Sequence, residues 1–156
     1  MSVFDPFLDK IHTEDKLEDL EVIDAANGII AIINENPELA FELLEKITEI
    51  YDSRIEIVKI RAVEIALKIL DNCLYSNNRE IADQIIGFLK SRIPSASENI
   101  QTGVIIHYSW AHRKFPKSKE LVEAYDALMK EFNKNKQFQL LFEDVNHMEG
   151  LENVSH

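Results

Sequence analysis

The chain has one cysteine, four glycines and four prolines among its 156 residues. A single thiol forms no internal disulfide, so Cys73 reads as a reduced, buried side chain of an intracellular protein rather than part of a staple. So little glycine and proline, with β-branched residues at helical rather than alternating steps, leaves scant room for sheet. No run approaches the ~18 apolar residues of a membrane span, and MSVFDPFLDK lacks the basic-then-apolar order of a secretory signal. Positive charge is also short. Seventeen basic residues against twenty-eight acidic ones give a net charge of −11, which repels nucleic acid and anionic lipid. The strong local enzyme signatures are missing: no glycine-rich phosphate loop, no HExxH, no CxxC pair and no GxSxG. The expectation is a soluble, non-enzymatic, all-α protein without cofactor or metal.

What is present is helical periodicity. Residues 53–75 place Arg61, Glu64, Lys68, Asp71 and Asn72 on one narrow side of a 3.6-residue wheel and apolar residues around the remainder. A surface helix needs an apolar stripe of only ~100°, so this one must be packed on several sides. Ser53 and Glu56 have capping-box spacing at its start. Before it, the spacing predicts a helix over 5–11, a second over 14–34 capped by Thr13, and a third over 37–51 behind Asn36-Pro37. The second helix has Leu17, Leu20, Ile23, Ala26, Ile30 and Ile33 as its inner face, widened by Val22, Ile29 and Ile32. Gly28 in its middle predicts a close helix contact.

After it come a helix over 78–93 (cap Asn77), a sixth that runs through 114 from a capping box of Ser95 and Glu98, and one over 119–132 (cap Ser118). Phe138, Leu141, Phe142 and Val145 keep helical spacing for a short eighth helix or a motif that a partner reads. The expected division is a helical domain over 1–136 and a C-terminal helix or tail over 137–156. Short connections favour antiparallel neighbours, hence a right-handed superhelix of seven or eight helices.

Functional residue patterns are sparse. His107 and His112 lie about 140° apart on a helix and do not form an i,i+4 metal pair. Trp110 reads as a core tryptophan, with a surface anchor as the alternative. The acidic run Glu14, Asp15, Glu18, Asp19, Glu21 and Asp24 reads as a solvated face or a surface for a basic partner. His112, Arg113, Lys114, Lys117 and Lys119 are the one basic concentration, solvated or able to receive an acidic peptide or phosphate.

Two stretches carry a resemblance. SWAHRKFPKSKELVEAYDALMKEF (Ser109 to Phe132) resembles the late part of VHS domains, with a Ser-Trp-Ala helix end, a short loop and a helix with a Tyr-x-x-Leu core. ALKILDNCLYSNN (Ala66 to Asn78) resembles the central helix of that family. The resemblance implies the VHS/ENTH-like superhelix over about residues 5–132. It implies an adaptor of endosomal or Golgi protein transport, cytoplasmic at the membrane periphery, whose partners are ubiquitin or cargo sorting peptides. The family's ubiquitin site has a tryptophan and a leucine one turn later on the second helix; this chain has Leu20 and Asp24 there. An acidic-dileucine peptide would lie between the helices at 79–93 and 119–132, where Lys90, Arg92, Lys119 and Lys130 offer charge. The sibling CID family, nuclear readers of the phosphorylated RNA polymerase II tail, is the alternative: Asn34-Glu35-Asn36 before a helix is similar to its pattern, and Asp71 stands where that family has a peptide-contacting aspartate. ENTH lipid binders need a basic first helix, and Asp5, Asp9, Glu14 and Asp15 argue against one.

Overall fold

The computed structural model describes residues 2–53 and 55–132, and the described residues are all-helical. Seven α-helices follow in order: α1 (Asp5–Ile11), α2 (Asp19–Glu35), α3 (Ala40–Tyr51), α4 (Glu56–Tyr75), α5 (Arg79–Arg92), α6 (Glu98–Lys114) and α7 (Lys119–Phe132). Two 3-10 turns, Pro37–Leu39 and Ile93–Ser95, precede α3 and follow α5. The chain divides into two compact units, Met1–Ser95 and Ala96–His156. The expected eighth helix and the 136/137 boundary lie outside the described residues.

In the first unit α4 packs against α2, α3 and α5 and also touches α1. Its buried residues run from Val58 to Cys73 and include Ala62, Ile65, Ala66, Leu67, Ile69 and Leu70. Ile65, Ile69 and Leu70 are fully enclosed, and each such side chain stabilises the fold by about 1.5–3 kcal/mol relative to exposure. The wide apolar arc in the sequence is therefore a helix with neighbours on several sides. On its polar edge, Asn72 Nδ2 donates to Asn34 Oδ1 at 2.8 Å and Asn34 Nδ2 donates to Asn72 Oδ1 at 3.5 Å, joining α4 to α2.

The helix ends are set by local chemistry, but several differ from expectation by one to five residues. Helix α4 begins at Glu56 behind Ile55, with no side-chain cap, so the Ser53–Glu56 box is not used. At its other end Asn77 has φ 58°. The Asn78 amide donates to the Cys73 carbonyl at 2.8 Å and the Asn77 amide to that of Leu74 at 3.4 Å, the paired bonds of a Schellman end with asparagine in the left-handed position. With Asn77 committed to that turn, Asn78 caps α5 instead, accepting from the Ile81 amide. Ser97 caps α6 by accepting from the Ile100 amide, because Ser95 belongs to the preceding 3-10 turn.

The largest displacement is the start of α2, at Asp19 rather than residue 14. The cause is Arg61. Although placed on the polar side of α4 in the wheel, it is only 4% exposed. One guanidinium nitrogen donates to the carbonyls of Ile11 (3.2 Å) and Thr13 (2.6 Å), and the other to Asp15 (2.7 Å). A helix through residues 14–18 would need the Thr13 and Asp15 carbonyls for its own amides. The Thr13 hydroxyl accordingly makes only a local turn, accepting from the Asp15 amide.

Packing on α2 also differs from expectation. Val22, Ala25, Ala26, Ile29 and Ile33 are buried, while Leu20, expected inside, is 66% exposed. Gly28 behaves as expected: the ring of Phe7 on α1 occupies the place a β-carbon would take. In the second unit α6 packs on α7, with buried Ile105 against Leu128 and Met129 and His112 stacked on Tyr125 at 4.0 Å between centroids. Trp110 is no core residue; it is 40% exposed, with the Lys114 ammonium 4.9 Å from its ring centre.

Replacing Arg61 by methionine keeps the apolar stem but strands three backbone carbonyls. Equilibrium denaturation of Arg61→Met is expected to show a loss of about 2–4 kcal/mol, with hydrogen exchange rising first across residues 11–18. Arg61→Lys, a compact charge without the planar fork, restores only part of it.

Candidate functional site

Leu20 and Asp24 lie one turn apart on α2, and both are exposed. The surrounding field is negative. The pKa of Glu64 on α4 is raised, first by burial and then by the charge of Asp19, with Lys68 and Arg61 acting in the opposite sense. Leu20 itself has Asp19 beside it in the chain and Asp24 one turn on.

The remaining candidates divide between the two units. Asp71 is half-buried on α4 and has interactions of its own. Lys90 is exposed on α5. Arg92, two residues on, is committed to Asp52: Nε donates to Oδ1 at 2.9 Å and Nη2 to Oδ2 at 3.0 Å. Its remaining Nη1 donates to Ser91 Oγ at 3.1 Å, and the bond to Asp52 holds the guanidinium pKa above its usual value. Lys119 and Lys130 are exposed at opposite ends of α7 in the second unit.

One groove of the first unit was not legible as a site in the sequence. Between α3 and α5 runs an open groove of about 600 Å³, within the usual size range of ligand pockets. Phe41, Leu44 and Thr48 line it at helical steps along α3, opposite Gln84, Phe88 and Arg92 on α5. Phe41 is 69% exposed, whereas Phe88 is 8% exposed and is fixed edge-on against Tyr51 at 5.8 Å. The groove therefore has a rigid aromatic floor and a free aromatic edge. Glu45 and Glu49 complete the α3 wall, and among the described residues neither has an ion-pair partner. Its one positive group, Arg92, is balanced by Asp52, so the groove is net negative. The signal missed was Phe41 itself, a phenylalanine off the inner face of an otherwise regular amphipathic helix.

Chemically reactive groups are held quiet. Cys73 is 1% exposed, and burial pushes its thiol pKa up to about 11, away from the reactive thiolate. Burial likewise raises the Tyr108 hydroxyl. Among the described residues, no cluster of three or more His, Cys, Asp or Glu is arranged to hold a metal ion, and no helix is long and apolar enough to cross a membrane. No protein-family model matches the chain, and neither curated proteins nor solved structures give a match.

An aromatic ring required by the fold would not stand this far in water. Phe41→Ala is expected to change the unfolding free energy by no more than about 0.5 kcal/mol, the ordinary range for a surface substitution, measured by urea titration.

Proposed function

We propose that the chain is a non-enzymatic adaptor of the VHS/ENTH/CID superhelical kind, serving protein transport at endosomal or Golgi membranes through its partners, and that its ligand is ubiquitin. The observation that carries this reading is Leu20. It is 66% exposed and is the nearest position to the tryptophan with which VHS domains contact ubiquitin, with Asp24 in place of the leucine one turn away and Asp19 adjacent.

An apolar side chain rimmed by carboxylates favours a ligand with an apolar patch and basic neighbours, which is the chemistry of a ubiquitin surface. The same rim repels an acidic-dileucine signal. A phosphorylated polymerase tail, the ligand of the CID alternative, needs arginines to pair with phosphate. Arg61 is spent on backbone carbonyls and Arg92 on Asp52, so neither is offered to a phosphate. Lys90, Lys119 and Lys130 then serve as solvated charges rather than as a peptide clamp.

Titrating isotopically labelled protein with ubiquitin, an acidic-dileucine peptide and a phosphorylated polymerase-tail peptide separates the possibilities. The expected outcome is saturable shifts with ubiquitin alone, centred on residues 19–24. Leu20→Ala weakens binding by about tenfold, which corresponds to ~1.4 kcal/mol of lost apolar burial. A response to either acidic peptide alone, or ubiquitin shifts falling away from α2, contradicts the proposal.

A further inference from the structure

The α3/α5 groove has an apolar floor, an exposed aromatic edge and, on one wall, two carboxylates without an ion-pair partner among the described residues. We infer that it is a second docking site, whose occupant is a cationic amphipathic helix of a partner protein. The inference does not depend on ubiquitin binding at Leu20.

Three observations select that occupant. The first is the walls themselves. Both are helices, whose backbone amides and carbonyls are already paired along α3 and α5. The wall hydroxyls are paired as well: Thr48 donates to the Leu44 carbonyl and Ser91 to the Phe88 carbonyl, each at 2.7 Å. An extended peptide would lay unsatisfied backbone groups against an apolar floor, at a cost that strand addition to a sheet edge avoids and this groove does not. A helix arrives with its own backbone bonds made, and needs only apolar anchors at i, i+3 or i+4, and i+7.

The second observation is spacing. Phe41, Leu44 and Thr48 repeat at three and four residues, and Gln84, Phe88 and Ser91 do the same across from them. A groove between two such ridges fits the ridge of a third helix.

The third is charge. Glu45 and Glu49 lie one turn apart on the rim, while Arg92 is neutralised by Asp52. Gln84 adds a buried Oε1 that has no donor among the described residues. Carboxylates and an unmet acceptor both favour a ligand that carries donors. Lysines or arginines flanking the apolar stripe supply them, and an acidic helix is repelled.

The test uses the full chain and a labelled peptide of about sixteen residues, some four helical turns, with leucines at i, i+3, i+4 and i+7 and lysines elsewhere. Its controls have the same composition with the leucines scattered around the helix, or glutamate in place of lysine. Fluorescence anisotropy is expected to show saturable binding of the patterned basic peptide, at least about tenfold weaker binding of both controls, and weakening with salt. Phe41→Ala and the double change Glu45→Gln, Glu49→Gln should each cost about tenfold. Circular dichroism melts establish that the variants fold.

Equal binding of the scattered peptide overturns the inference, as does an affinity indifferent to Phe41 and the two glutamates. Concentration-dependent dimerisation that Phe41→Ala abolishes, without peptide binding, would assign the groove to a second copy of the chain and likewise overturn it.

Discussion

Burial of α4 is the constraint on which the rest of the first unit depends. A helix with apolar residues over more than half its circumference is unstable beside a single partner, because its remaining apolar face would stay in water. Packing α2, α3 and α5 against it removes that face, and each of those helices is then committed to turning one stripe inward. The outward stripes are what is left for function. Leu20 on α2 and Phe41 on α3 both point away from the core, and both stand beside carboxylates. A net charge of −11 is therefore not spread as a neutral coat. Part of it lies beside two exposed apolar side chains of the first unit, Leu20 and Phe41.

Arg61 shows how the core reaches beyond its own helix. A buried guanidinium is tolerated only where its donors are met. Here the acceptors are main-chain carbonyls of the segment between α1 and α2. The arginine thereby fixes that connection in a non-helical path and sets where α2 begins. It performs for the chain a task that a cap residue performs elsewhere, from nearly fifty residues away.

Periodicity made the helices legible: α1, α7 and the C-terminal end of α4 fall where the apolar spacing puts them. Caps were less legible, since Ser53, Asn77 and Ser95 each have the chemistry of a cap but lie in segments already used by a bend, a Schellman end or a 3-10 turn. Arg61 and α2 were misread for the same reason, a partner distant in sequence. Leu20 fitted the inward pattern of α2 until Val22 and Ile29 took that side, which turned it outward. Trp110 was read by residue type, and type alone does not say which side of α6 faces the core. The groove escaped because it needs two helices that the chain separates by α4; only Phe41, off-pattern on α3, hinted at it.

Cys73 offers the most direct test of the central claim, being the only thiol in the chain and lying on α4 at 1% exposure. Its labelling by a disulfide reagent in mildly alkaline native buffer measures the free energy of whatever opening exposes it. If α4 is the enclosed centre of the first unit, that free energy equals the global unfolding value from denaturant titration. Labelling at a markedly lower free energy, through local fraying of α4 alone, would contradict the account.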